Sequence, residues 1–503
     1  MTLSSSLRRA TTATLAAAML ASTIPAAAQL PTLGDGSEMS SSAERRLGEK
    51  IARELYRDPD YIDDPVLVEY VRGIWEPLLQ AARARGELTS ELDERFAWQV
   101  LLGKDRSVNA FALPGGWLGL HLGLVSVTTS RDELASVLAH ELSHVTQRHI
   151  SRLVTQEKRQ APLMIAAMIL GALAARKNSD AANAVMSGGQ AMAVQNQLNF
   201  SREMEREADR VGYGVLTQAG FEPAGFASMF EKLQQASRLN DNGTYPYLRT
   251  HPMTTERSAD MQARSQLVAR ERIDANAPAV LEHALMAARA RALSSVGVDA
   301  LRSLVSEATS LQAGAPALRR AATLYSASLA ASRLRDTGTA VMYAQRLVDE
   351  QRDAPAAARQ ARLLLAEVAL AGGRTERALS LLDAASRSRP ELLLRSQAGI
   401  AAGNASQVAQ LLQAWVATQP RDAFAWQVLA AAYHAQGQTL RAVRAEAEIQ
   451  VAQLDYAAAV DRLKAAQDLV RRGAAAGDHI EASIIDTRTR QVESLLREQA
   501  LER

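Results

Sequence analysis

Polar and apolar positions follow three different rhythms along this chain. Between Ser130 and Val145, the apolar residues Leu134, Val137, Leu138, Leu142 and Val145 recur at helical spacing, and Ser130 followed by Glu133 is a capping box at the start. A second helix is predicted from Ser201 through Gly214, carrying a dense acidic cluster in which Ala208 and Gly212 keep one face small. Phe96 to Leu102 and Asn109 to Leu113 read instead as neighbouring short strands, the latter ended by the break Pro114-Gly115-Gly116. Near residue 275 the pattern changes to an Ala-, Leu- and Arg-rich region with almost no strand signal. The predicted fold class is mainly α: an α+β unit around a small sheet, followed by a helical array.

From about residue 315 that array looks like degenerate tetratricopeptide (TPR) repeats, pairs of helices stacked into an α-solenoid. The clearest unit has Trp426, Leu429, Tyr433 and Ala442 at the consensus intervals with Gly437 in its turn, and another has Gly372-Gly373 in the turn followed by Ala378, Ala385 and Pro390. An irregular Ala-rich bundle is the plainer alternative. A solenoid would offer its concave face to a protein partner. His434 and His479 are read as packing or surface residues without chemistry.

Two apolar runs bear on compartment. Arg8 and Arg9, the stretch Ala10 to Ile24 and Ala26-Ala27-Ala28 together read as a cleavable secretory signal, with cleavage after Ala28; the alternative is a retained membrane anchor, for which the apolar stretch falls short of the roughly twenty residues needed to span. The run Ala161 to Ala175 would be about 22 Å long as a helix, short of a bilayer core of about 30 Å. It reads as a buried helix, a lid over a cleft, or a surface for peripheral membrane contact. The absence of Cys rules out disulfides, thiolate zinc sites and lipidated thiols. A periplasmic protein is expected. With 57 basic and 55 acidic residues the charge is balanced, and no nucleic-acid footprint is visible.

The chemistry concentrates in His140-Glu141-Leu142-Ser143-His144. Residues four apart lie one turn above each other, so both imidazoles can reach one metal while Glu141 projects toward a water beside it. Two neutral imidazoles bind zinc without cancelling its charge, and a catalytic site adds one more protein ligand and an open position. A carboxylate in reach then acts as general base, which gives Glu141 its role in peptide hydrolysis. The residues alone also allow an ordinary polar helix. In the metzincin pattern a third His would stand where Ile150 is, and His149 is out of register. Glu205 and Asp209, four apart on the second helix, offer a carboxylate ligand and a group that orients a ligand imidazole. Glu203 and Glu207 read as part of a solvated charge stripe with Arg202, Arg206 and Arg210.

His140-Glu141-x-x-His144, Glu205-x-x-Ala208-Asp209, Asn109-Ala110-Phe111-Ala112-Leu113-Pro114-Gly115-Gly116 and Thr250-His251-Pro252 together resemble the HtpX and CAAX-prenyl-protease superfamily of zinc peptidases, over about residues 100 to 255. The resemblance implies a zincin-like fold with one Zn2+ per chain, held by His140, His144 and Glu205. It implies Glu141 as base and Asp209 as partner to a ligand. It also places His251 near the metal, either stabilising the oxyanion or filling the fourth zinc position, which would make the enzyme latent. Asn109, Ala110, Phe111 and Ala112 are expected to dock substrate as an added strand.

The expected organisation is a signal peptide at 1–28, a flexible lead-in at 29–43, a zinc metallopeptidase domain at 44–270, connecting helices at 271–314 and TPR-like repeats at 315–503. In that order the parts resemble the BepA (YfgC)-type periplasmic proteases. The resemblance implies a zinc metalloendopeptidase for misassembled outer-membrane β-barrel proteins, in contact with the barrel assembly machinery through its repeats. The alternative is a chaperone or adaptor with a latent, switch-controlled protease centre.

Overall fold

The computed structural model describes residues 39–156, 202–238, 244–266, 277–312, 314–474 and 478–501. The signal peptide, most of the lead-in, the run 161–175 and the Gly188-Gly189 stretch lie outside the described residues, as does the boundary expected at 270/271.

Helix α1 (Ser41–Arg57) leads into the two-residue strand β1 (Tyr61–Ile62). Asp64 then caps helix α2 (Pro65–Ala84), accepting from the Leu67 amide at 2.9 Å, with Pro65 at its first turn. Strands β2 (Gln99–Gly103), β3 (Ala110–Leu113) and β4 (Trp117–His121) complete a sheet in the order β1-β2-β4-β3. β3 and β4 form an antiparallel hairpin, whereas β2 and β4 are parallel. Two expectations change here. Phe96 lies outside the strand, as the C-cap of a short helix. The strand beside β3 is Trp117–His121, which follows the Pro-Gly-Gly break closely enough to hairpin back; Gly115 and Gly116, at φ 71° and 84°, supply the left-handed backbone for the turn.

The sheet packs on helix α3 (Arg131–Thr146), in which every residue from Glu133 to Thr146 is buried. Helices α4 (Arg202–Gln218) and α5 (Ala224–Arg238) enclose its other sides, followed by α6 (Thr255–Gln266). Gly212 on α4 makes the close approach: a Cβ there would lie 3.1 Å from the Ala139 carbonyl oxygen and 3.2 Å from the His140 Cα.

Helix α7 (Pro278–Ser294) opens the helical array, which runs on through antiparallel neighbours to Ala500. The turn between Ala423–Ala435 and Thr439–Ala452 uses Gly437 at φ 69°, and that between Pro355–Ala371 and Thr375–Leu381 uses Gly373 at φ 73°. Trp426, Leu429 and Tyr433 are buried in one cluster with Ala442.

The array wraps back onto α2, where three arginines each bridge an acid near the start of α2 and an acid further along the array. Arg289 bonds Asp64 (2.6 Å) and Glu367 (2.7 Å), Arg359 bonds Glu69 (2.6 Å) and Glu391 (2.6 Å), and Arg389 bonds Asp63 (2.7 Å) and Asp422 (2.8 Å). α2 therefore contacts the helix Arg389–Ala401 of the array as well as α3 and α4. Among the described residues, no helix is long and apolar enough to cross a membrane.

Candidate metal centre

Ser130 caps α3 by accepting from the Glu133 amide at 3.1 Å, while the Glu133 carboxylate takes the Thr129 amide at 2.6 Å and the Lys232 ammonium at 2.6 Å. This fixes the start of a helix whose polar residues must find partners inside the protein. His140 and His144, one turn apart, bring their Nε2 atoms to 3.0 Å. Glu205 reaches them from α4 across the gap that Gly212 keeps narrow. Its Oε2 lies 3.5 Å from His140 Nε2 and its Oε1 3.5 Å from His144 Nε2. His251, just after a short helix at Tyr247–Thr250, sets its Nδ1 3.0 Å from Glu205 Oε1 and 3.3 Å from His140 Nε2.

Four lone-pair donors thus converge, all buried and all within 4.8 Å of one another. Donor atoms arranged tetrahedrally at zinc bond lengths stand about 3.3 Å apart. The separations of 3.0–3.5 Å between neighbouring donors match that spacing. Three imidazoles and a carboxylate, with no thiolate, suit zinc or a neighbouring divalent ion.

The surroundings fix how each ring faces inward. His140 Nδ1 stands 3.0 Å from Asp209 Oδ1, and Asp209 is gripped by Arg257 through Nε (2.7 Å) and Nη2 (2.8 Å). The same guanidinium contacts Glu205 Oε2 at 2.7 Å and donates to the Pro252 carbonyl at 2.8 Å. Burial raises the Asp209 and Glu205 carboxyls, but Arg257 and His140 for the former, and His251 and His140 for the latter, hold both below the ordinary range. Burial works against protonated His140, yet the hydrogen-bonded carboxylates of Asp209 and Glu205 outweigh it, lifting the imidazole to about 10. His144 moves the other way, well down, through burial and its proximity to His140. Its Nδ1 meets His149 Nδ1 at 2.8 Å, and Tyr247 stacks on His251 at 4.5 Å.

Glu141 lies between the cluster and the sheet. Its Oε2 accepts from the Ala112 amide at 2.9 Å, while Oε1, buried and without a hydrogen-bond partner, faces His251 Nε2 at 3.4 Å. β3 is an edge strand. The Asn109 carbonyl accepts from the His121 amide, so Asn109, Phe111 and Leu113 pair toward β4 while Ala110 and Ala112 direct their backbone groups off the sheet. Phe111 turns its ring onto Gly119, where a Cβ would lie 2.1 Å from it.

The structure therefore brings His140, Glu141, His144, Glu205, Asp209 and His251 together, with Ala112 against Glu141. It revises one expectation: Glu207 leaves the charge stripe to meet Arg152 (2.8 Å) and the fully buried His149 (3.1 Å), which as expected stays outside the donor set. Arg257 was not foreseen. Two buried acids one turn apart require a counter-charge, but no local pattern marks a cation forty-eight residues downstream.

Residues 78–265 match the model of Peptidase family M48, so the chain carries an M48 peptidase domain. It is 34% identical over 250 residues to a putative beta-barrel assembly-enhancing protease of Vibrio cholerae, covering 48% of this chain and 50% of that protein. Identity to the beta-barrel assembly-enhancing protease of Escherichia coli K12 is 33% over 266 residues, or 52% and 53% of the two chains. A mitochondrial metalloendopeptidase OMA1 of Arabidopsis thaliana is 34% identical over 170 residues, 34% of this chain and 32% of that one. The match spans about half the length of the two beta-barrel relatives.

Proposed function

We propose that the M48 domain is a zinc-dependent endopeptidase acting on protein substrates, with His140, His144, Glu205 and His251 as the residues that hold the ion. The observation that carries this reading is the convergence of four buried donors beside a carboxylate with one unpartnered oxygen. A divalent ion bound there supplies an acidified water and polarises a carbonyl.

The chain's own residues do the rest. Glu141 Oε1 accepts a proton within the cluster and returns it to the leaving amine. Asp209 and Arg257 hold His140 in its tautomer. The off-sheet groups of Ala110 and Ala112, within the segment Asn109 to Ala112, pair with an extended substrate, which displaces the Glu141 carboxylate from the Ala112 amide as it docks. His251 would be the fourth residue to hold the ion in the resting state, and its withdrawal would open the centre. The boundaries 44–270, 271–314 and 315–503, the TPR character of the last segment and the signal peptide at 1–28 complete the reading. So do a periplasmic location, misassembled outer-membrane β-barrel proteins as substrates and contact with the barrel assembly machinery, all resting on the kinship with assembly-enhancing proteases.

Glu141→Gln is expected to abolish hydrolysis of an unfolded β-barrel protein while zinc content, read by atomic absorption, is unchanged. Purified wild-type protein without tightly held metal would refute the reading. His251→Ala, with zinc retained, is expected to raise turnover; an unchanged rate removes it from the switch. A chaperone with a latent centre is favoured only if turnover stays undetectable in both proteins.

A further inference from the structure

His149 is fully buried, yet it belongs to no ligand set. Its Nδ1 lies 2.8 Å from His144 Nδ1 and its Nε2 3.1 Å from Glu207 Oε2, which Arg152 holds at 2.8 Å. A continuous helix would turn a residue five positions past His144 about 140° away from it. The chain avoids this by stopping α3 at Thr146 and restarting a helix at His149, through Arg148 at φ 53°. A left-handed backbone is unfavourable for a non-Gly residue. Here it is secured by the 3.0 Å pair between Arg148 Nε and buried Glu44, and by Arg148 Nη2 donating to Ser151 at 3.2 Å.

We propose that His149 is a positioning residue for the metal centre: it accepts the Nδ1 proton of His144 and passes the demand to Glu207, so that His144 is locked with Nε2 bare and facing the other donors. The proposal rests on the metal-centre reading. It completes a symmetric arrangement, since Asp209 takes the Nδ1 side of His140 and a neutral imidazole backed by Glu207 takes that of His144. Groups that orient ligand imidazoles in this way tune affinity as well as geometry.

Three substitutions in the full chain separate this role from packing. The amide oxygen of His149→Asn superposes on Nδ1 and keeps the acceptor for His144. The longer side chain of His149→Gln reaches Glu207 and loses that acceptor, and His149→Leu loses both contacts. Zinc affinity is measured by chelator competition, with cobalt(II) visible absorption as a second readout of ligand geometry and thermal melting of the metal-free proteins in parallel. His149→Asn is expected within about threefold of wild type, with His149→Gln and His149→Leu weaker by about 10- to 100-fold and a changed cobalt spectrum. The proposal is overturned if His149→Asn falls as far as His149→Leu, if His149→Gln binds like wild type, or if affinity simply follows melting temperature. A wild-type chain that binds no zinc overturns the metal-centre reading and this one with it; wild-type binding with any of the other outcomes overturns this one alone.

Discussion

Removing Arg257 should destabilise the protein more than any surface change, because it leaves two acids stranded in the interior. The guanidinium, 4% exposed, makes two hydrogen bonds to Asp209 (2.7 and 2.8 Å), an ion pair with Glu205 (2.7 Å) and one hydrogen bond to the Pro252 carbonyl (2.8 Å), and the two carboxylates are only 2–3% exposed. Breaking a buried pair from one side costs about 3–5 kcal/mol, since the remaining charge has no solvent to compensate it. Arg257→Met keeps the apolar stem and removes only the charge and the donors. A loss of about 3–5 kcal/mol is therefore expected in urea unfolding of the chelator-treated protein at neutral pH. Arg257→Lys, which keeps the charge but not the forked geometry, should lose less. In the double-mutant cycle with Asp209→Asn, the combined loss should fall short of the sum by more than about 1 kcal/mol. A loss below about 1 kcal/mol for Arg257→Met, or additivity within about 0.5 kcal/mol, would refute the account of the charge balance.

Three other changes test neighbouring parts. Gly212→Leu forces α4 away from the Ala139 carbonyl, and should cost about 1–3 kcal/mol in unfolding while separating Glu205 from the histidines, seen as weaker zinc retention on dialysis. Gly119→Ala meets the Phe111 ring and should displace it, a shift readable in the aromatic NMR signals of Phe111 with a loss of about 1–3 kcal/mol. The folded Glu133 carboxyl is held below its ordinary value: burial raises it, but Lys232, Ser228 and the Thr129 amide lower it further. Its contribution is complete above the unfolded value near 4.3 and fades as pH falls through the lower folded one, so the stability gap between wild type and Glu133→Gln should narrow in acid denaturation below about pH 4.

The elements that the sequence disclosed were those with strong local period or chemistry. The α3 helix was readable from Ser130, Glu133 and its apolar spacing, and the small face of α4 from Ala208 and Gly212. The hairpin partner of β3 was not, because Trp117–His121 is buried along its whole length and shows no alternation. Arg257 and His149 were opaque for a different reason. One acts through contacts forty-eight residues away, and the other reaches His144 only because Arg148 takes a backbone conformation that nothing in its side chain announces. The interlock of Arg289, Arg359 and Arg389 likewise depends on how the helical array curls, and no local pattern of residues carries that curvature.

The same interlock makes α2 a strut. Its first turns are bolted to the helical array through Asp64 and Glu69, with Asp63 just ahead, and its body leans on the helices bearing His140 and Glu205. A force that bends the helical array would thus reach the donor cluster through α2, with no slack joint on the way.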